Sequence, residues 1–281
     1  MVRIITDSTN DLTRELLKKL NIEVVPLYVN FDSDTYRDGI DLNTEQLYAE
    51  VEKRGMLPKT AAVTIGDLVE KFRPYIEAGD EIVYTGISKQ MSRSYENALM
   101  AKEELETDKI YVVDSKNLSS GIGLLLLKAC KDRDAGLSGK EIAERMEKNT
   151  NLVLSQFAIE KMDYLYKGGR CSSIAAIAAT VLRIKPIIQV RDGKMSVQQK
   201  PIGKMKVALD KMIAQIERDK DRLDTDHILV THSIAPESAA YIIPILKEKF
   251  PGVDIIETCA GCVISSHCGR GTIGILYMVK E

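Results

Sequence analysis

The stretch IVYTGISKQMSRSYENA, residues 82–98, runs from an apolar segment through a hydroxyl-rich loop into an amphipathic one. Ile82, Val83 and Tyr84 read as a short buried strand. Tyr95, Ala98, Leu99 and Ala101 recur at helical spacing from Ser94 onward. Ser88, Ser92 and Ser94 crowd the loop between them. The first turn of a helix leaves N–H groups unpaired and carries a partial positive charge. Serines placed there either cap the helix or help it hold an anion.

The same grammar recurs on both sides of this stretch. Val2 to Thr6 reads as a strand running into Asp7, Ser8, Thr9, Asn10 and Asp11, with a helix over Leu12 to Leu20. Ile22 to Val29 reads as one further strand. Asn43 to Arg54 reads as a helix whose Asn43 and Gln46 stand at capping-box spacing. The loop PKTAAVT, Pro58 to Thr64, leads into a helix over Gly66 to Ala78. Lys109 to Val113 is a strand ending in Asp114 and Ser115, followed by a helix through Leu124 to Asp132. Three strands thus end in polar clusters that open helices. This predicts a doubly wound, mostly parallel sheet with its ligand at the carboxyl ends of the strands. Thr60, Ser92 and the Asp7 to Thr9 cluster are expected to converge on one crevice there.

The pattern changes after the helix that Ser138 and Glu141 cap. Leu152 to Ile159 reads as a strand, and YLYKGGR at Tyr164 to Arg170 precedes a helix of small residues over Ile174 to Leu182. Lys185 to Val190 and Met195 to Gln199 alternate around Arg191–Asp192–Gly193–Lys194, a hairpin signal. Helices over Lys204 to Arg218 and Pro236 to Phe250 alternate with strands at His227 to His232, Val253 to Glu257 and Ile273 to Val279. Hairpins mixed with crossovers predict a second, α+β domain with a mixed or antiparallel sheet. The boundary falls near residue 155, giving domains 1–155 and 156–281. Gly261 to Gly274, GCVISSHCGRGTIG, reads as a glycine-rich loop leading into the last strand. There His267 offers a hydrogen-bond donor or a base, and packing is the ordinary alternative.

Composition bounds the function. The 281 residues carry a net charge of −2, 44% hydrophobic and 28% charged residues, enough for one large or two modest domains and unlike a dedicated nucleic-acid binder. No apolar run approaches the roughly 20 residues needed to cross a bilayer. The chain enters a strand at once without a signal-peptide pattern, so a cytoplasmic location is expected. Five cysteines fit free thiols better than a disulfide framework. Cys259 and Cys262 form a lone CxxC near His267 and Cys268, a weak zinc signal without a second pair. No metal or cofactor is expected.

The ordered set of motifs resembles the DegV family: Asp7-Ser8-Thr9, Pro58-Lys59-Thr60, Ile87-Ser88 followed by MSRSY, Val112 to Ser115, Lys167 to Arg170, Lys185 to Ile187, and the final G-x-V-I-x-x-H-x-G-x-G. It covers essentially the whole chain. The resemblance implies two α/β domains holding a long-chain fatty acid between them. Some members of that family are the fatty-acid-binding subunits of a bacterial fatty acid kinase, non-enzymatic themselves, which present the carboxylate to a separate catalytic subunit. Carried over by position, Ser92 with neighbouring N–H groups would hold the carboxylate. Thr60 and His267 would add hydrogen bonds, Arg93 would stand beside them, and Asp7, Ser8, Ser88 and Gly269 would support them. Ile174 to Leu182 and Leu118 to Leu127 are candidates for the acyl-chain wall, with ordinary core as their alternative. Lys167 and Arg170 are candidates for a kinase-docking or phosphate-steering surface, with a solvated charge pair as theirs. Transient membrane contact would serve lipid exchange.

The division of labour is physical. Burying an acyl chain is worth about 0.8 kcal/mol per CH₂, so about 16 carbons supply on the order of 10 kcal/mol before binding costs. A carboxylate taken out of water needs hydrogen-bond donors, which makes the polar cluster the selector of acid over alcohol. The chain also departs from the family pattern. Ala61, Ala62 and Val63 replace Ser-Gln-Pro, Arg93 replaces the glycine after the head-group serine, Ile202 replaces an arginine, and Arg270 replaces a common proline. Two rival chemistries use the same residue types. One is a hydrolase or acyl transferase with Ser92 as nucleophile, His267 as base and Asp7 or Asp114 as orienter. The other is a phosphotransfer protein carrying phosphate on His267. The G-x-S-x-G elbow of common serine hydrolases is absent around Ser92.

Overall fold

Four strands, β1 (Val2–Asp7), β2 (Ile22–Val25), β6 (Glu81–Gly86) and β7 (Ile110–Asp114), pair in parallel in the order β2-β1-β6-β7. The computed structural model from which this is read describes residues 1–175 and 184–280. Ile4 and Ile5 of β1 and Ile82, Val83 and Tyr84 of β6 are all buried. Such unbroken apolar runs belong to strands covered on both faces. Covering them are α1 (Arg14–Lys19), α3 (Ile65–Glu77), α4 (Ser94–Glu104), α5 (Ser120–Asp134) and α6 (Gly139–Asn149). The chain leaves β1 toward β2 on one side and later returns to lay β6 on the other. Their carboxyl ends therefore flank a topological switch point, where open α/β sheets leave a crevice.

The expected strand Ile22 to Val29 is two strands. Pro26 has no N–H to continue a ladder, so β2 stops at Val25 and β3 (Tyr28–Phe31) begins a separate sheet. In that sheet β3 lies between β4 (Asp34–Arg37) and β5 (Lys59–Ala61), antiparallel to both. The stretch read as the loop PKTAAVT thus contains an edge strand, and Val29 opposite Thr60 fixes its register. Between β4 and β5 runs α2 (Thr44–Arg54), with the Asn43–Gln46 capping box in place. Ser138 and Glu141 likewise form the box that opens α6.

Residues 153–279 build a six-stranded mixed sheet. Its strands are β8 (Val153–Ala158), β9 (Ile187–Arg191), β10 (Lys194–Gln199), β11 (Leu223–His232), β12 (Asp254–Cys259) and β13 (Ile273–Val279), in the order β10-β9-β8-β13-β11-β12. Among the described residues of this sheet, only β11 and β12 pair in parallel. The short helix α7 (Asp163–Gly168) follows β8. The outer face is covered by α8 (Met205–Arg218) and α9 (Pro236–Lys249), which bury Leu209, Met212, Ile242 and Leu246 against Ile273, Ile275 and Tyr277 of β13. On the period-two pattern of a strand, Gly274, Leu276 and Met278 face the other way, toward α5. That helix packs against β1 on one side and β8, β11 and β13 on the other, which is why Ile122 and Leu124 to Leu127 are all buried.

The segment Gly261 to Gly274 is not the loop its glycines suggested. Cys262–Cys268 form a seven-residue helix, α10, ended by Gly269 at φ 80°. The expected helix over Ile174 to Leu182 falls mostly outside the described residues; Ser172–Ile174 form a single 3₁₀ turn at its start. No helix among the described residues is long and apolar enough to cross a membrane.

Candidate functional site

The site is built around the two ends of α10. At its N-terminus, the Gly261 N–H donates to Asp11 Oδ1 at 2.8 Å and the Cys262 N–H to Asp38 Oδ1 at 2.7 Å. Carboxylates suit this position because the first N–H groups of a helix have no internal partner. Ser119 donates to the other oxygen of Asp11, and Ser8 to that of Asp38. Asp7 lies below them, accepting from Thr9 and from the Ile87 N–H at 2.9 Å, which ties the end of β1 to the end of β6. A Cβ on Gly86 would overlap this carboxylate. Burial pushes Asp7 up to about 6 and Asp11 up to about 8, and raises Asp38, against the lowering effect of their hydrogen bonds. The Asp7 to Thr9 cluster therefore braces the fold from inside and does not face the crevice.

The other end of α10 carries His267. Its Nε2 lies 2.8 Å from Thr60 Oγ1 on β5. Its Nδ1 is buried without a hydrogen-bond partner among the described residues. A Cβ on Gly168 would overlap that nitrogen, so the ring lies directly against the end of α7. Burial and the neighbouring Arg170 guanidinium push the imidazole down to about 4, leaving it neutral at pH 7.

Opposite this pair stands the loop after β6. The Ser88 carbonyl accepts from the N–H groups of Met91 at 2.8 Å and Ser92 at 3.1 Å, while the Ser88 N–H donates to the Asn117 carbonyl at 2.9 Å. Ser92 Oγ accepts from the Ser94 N–H and contacts the Ser94 hydroxyl at 3.0 Å. The N-cap residue itself is Arg93, whose side chain makes no capping bond. The serines therefore arm the first turn of α4 in the way the sequence suggests, although none is its N-cap.

Between the two lies a cavity of about 690 Å³, within the ordinary range for a small-molecule site. Thr60, Ser92, Arg93, Arg170 and His267 all line it; Asp7, Ser8, Ser88, Lys167 and Gly269 do not. Its apolar surface comes from Ile87, Met91, Phe157, Leu165, Met195 and Leu276 among others. Of the expected wall Leu118 to Leu127, only Leu118 and Ser119 reach it. The leucines of α5 are consumed between the two sheets. Sequence reading missed Phe157, Leu165, Met195 and Leu276, which four separate elements bring together. Four further hydroxyls line the cavity but are occupied: Ser119 with Asp11, Thr231 with Ser120 and Thr258, Ser233 with Tyr48 and Ser265, and Thr272 with the Cys268 carbonyl.

The rival chemistries do not find their geometry. Ser92 bonds to Ser94 and His267 to Thr60, so nucleophile and base are not joined. Asp7 is held by Thr9 and Ile87, and Asp114 by the N–H groups of Lys89 and Lys116, so neither orients the imidazole. Both nitrogens of His267 are blocked to a phosphoryl group, one by Thr60 and one by Gly168. All five cysteines are free, and no cluster among the described residues could hold a metal ion.

The chain thus joins a parallel and a mixed sheet around a partly open cavity whose wall is largely apolar and carries hydroxyl, cationic, amide and carboxylate groups, Glu96 among them. A profile of the DegV family, described as "Uncharacterised protein, DegV family", matches residues 1–280, and the chain belongs to that family. A DegV domain-containing protein of Clostridium acetobutylicum is 34% identical over 281 residues, 99% of each chain. The structure of a DegV-family protein from Thermus thermophilus, described for its fatty acid binding, matches with a TM-score of 0.91 at 25% identity over 99% of both chains. That of DegV from Bacillus subtilis, described as a fatty acid binding protein, matches with 0.88 at 29% identity, again over 99% of both.

Proposed function

We propose that this protein binds one long-chain fatty acid, with the acyl chain in the cavity between the segments 1–155 and 156–281 and the carboxylate at Thr60, Ser92 and Arg93. The observation that carries this reading is the pairing of Thr60 with His267 on the wall of a cavity that also presents a large apolar surface. A proton on Nδ1 would be a buried N–H against Gly168 with no acceptor among the described residues, which proteins avoid more strictly than an unpaired acceptor. The proton therefore sits on Nε2 and is donated to Thr60 Oγ1. This leaves the Thr60 hydroxyl hydrogen for the ligand oxygen. Ser92, in the loop just before α4, supplies a second hydroxyl, and the Arg93 guanidinium opposes the negative charge. The fatty acid binding described for the structural relatives from Thermus thermophilus and Bacillus subtilis supports the ligand class.

The site's further role is to present the carboxylate to a separate fatty acid kinase subunit in the cytoplasm, with transient membrane contact for lipid exchange. Exposed Arg93 and Arg170 on the cavity wall support an anionic reactant approaching there. Native mass spectrometry of the purified protein, followed by denaturing extraction, tests the ligand. Co-purified or added long-chain free fatty acid at one per chain is expected. A protein that neither carries nor takes up such an acid would refute the reading.

A further inference from the structure

The tip of a surface hairpin is normally solvated, but one residue at the tip of β9–β10 is buried. Asp192 at φ 50° and Gly193 at φ 77° form its two-residue turn, the left-handed pair such hairpins favour. Asp192 is exposed while Gly193 is buried. It is buried because it rests on the loop after β6: a Cβ on Gly193 would overlap Ser88 Oγ and come within 3.2 Å of Gln90 Cγ. Ser88 is itself fully buried. Further along the hairpin, Met195 lines the cavity, and the Val197 N–H is held by Ser173 Oγ at 3.0 Å.

Ser88 fixes the head-group loop. Its carbonyl takes the N–H groups of both Met91 and Ser92, and its hydroxyl takes that of Gln90. Whatever presses on Ser88 therefore sets where Ser92 stands. We propose that the β9–β10 hairpin is a strap that holds the carboxylate-binding loop in its working position, and that Gly193 is its positioning residue. The inference rests on the fatty-acid reading above. It adds that the head-group site is assembled across the two halves of the chain, so that lifting the hairpin releases the carboxylate before it releases the tail.

Gly193→Ala tests this, because it adds one methyl group against Ser88, with Gln90 as its other neighbour, at a residue that does not itself line the cavity. Binding of a long-chain free fatty acid and of its methyl ester is measured on the full chain. The acid is expected to weaken by about tenfold and the ester by less than about threefold. In a Ser88→Ala background, which removes the overlapping hydroxyl, the added loss of acid affinity from Gly193→Ala should shrink, while the folding cost of a side chain at φ 77° stays in both backgrounds. An unchanged acid-to-ester ratio, or an equal loss of acid affinity in both backgrounds, overturns the strap while leaving fatty acid binding intact. Wild-type protein that binds no fatty acid removes the functional reading and the strap together. Should Gly193→Ala fail to fold, hydrogen exchange on the wild type decides. Adding fatty acid should protect the Met91 and Ser92 amides together with those of Arg191 to Lys194, and protection of the serine loop alone refutes the strap.

Discussion

Thr60→Val separates the role of the hydroxyl from that of the side chain's volume. Valine keeps the branched shape and the strand preference that β5 needs, and it removes the hydroxyl that pairs with His267 Nε2. Two consequences follow on different axes. The His267 Nε2–H loses its acceptor whether or not ligand is present, which costs about 1–3 kcal/mol of folding stability. The bound carboxylate loses a charge-assisted hydrogen bond worth about 1.5–3 kcal/mol, or about 10- to 150-fold in affinity. A methyl ester loses only a neutral bond of about 0.5–1.5 kcal/mol, so the acid-to-ester preference falls by about fivefold or more. The double variant Thr60→Val/His267→Phe makes both partners apolar. Stability should then recover to within about 1 kcal/mol of wild type, because replacing both members of a buried pair is far cheaper than orphaning one. Acid affinity should stay low. Calorimetric titration with acid and ester, alongside urea unfolding of the three proteins, reads all of these quantities. Equal losses for acid and ester would refute the assignment of Thr60 as the carboxylate donor. Acid binding restored by the double variant would refute it as well.

Ser92→Ala should weaken free-acid binding by about 1–3 kcal/mol and spare the ester; parallel titrations check it, and an equal loss for both would make Ser92 a packing residue. Gly168→Ala pushes a methyl into His267 and should destabilise by about 1–3 kcal/mol. Urea unfolding should show that cost vanish in a His267→Ala background, and its persistence there would refute the contact. Asp11 has a folded pKa raised from 3.8 to about 8, so its stabilising effect is complete below about pH 4 and is lost as pH rises toward 8. Asp7 acts in the same sense over the window from 3.8 to about 6. His267, lowered from 6.5 to about 4, acts in the opposite sense, its contribution falling as pH drops through that window. Asp11→Asn keeps an acceptor for the Gly261 N–H and turns the Ser119 bond round, the amide donating to the Ser119 hydroxyl. Urea midpoints at pH 5.5 and 8 should show the variant gaining on wild type at the higher pH, and identical slopes would refute a protonated Asp11.

What the sequence made legible follows from which signals are local. Alternation of apolar runs with Ser-, Thr- and Asp-rich loops is local, and it located β1, β6, β7 and the helix after each. Capping boxes at Asn43 and Ser138 are local too, and both helix starts were found. The three-stranded sheet of β3, β4 and β5 was hidden because its strands span only three or four residues each, too short for a period to register. Helix α10 was hidden because seven residues rich in Ser and Cys carry little helical preference by themselves; it is held by Asp11 and Asp38, more than 220 positions away. The leucines at 124–127 misled for a different reason. Burial against a ligand and burial against a second sheet leave the same apolar signature, and only tertiary packing separates them. Gly168 behind His267 and Gly193 behind Ser88 were illegible for the reason that applies to α10: their meaning lies in the atom each would strike.

Arg93 shows how far the family pattern constrains this site. The resemblance places a glycine after the head-group serine, and a glycine there would signal either a backbone that needs it or a space that a side chain would fill. Neither holds here. Arg93 sits at φ −86° and ψ 5°, open to any residue, and its side chain is exposed at the wall of the cavity. The backbone thus leaves the position free to carry charge. Across the cavity the change runs the other way, since Ala61 and Ala62 line it where the pattern has Ser and Gln. Hydroxyl and amide donors are lost beside Thr60 while a guanidinium is gained beside Ser92. A guanidinium offers five N–H groups and a full charge, and a serine one neutral hydroxyl. With the carboxylate placed as we propose, the exchange would move donors from the β5 side toward the loop before α4, where the Ser88 carbonyl takes the Met91 and Ser92 N–H groups.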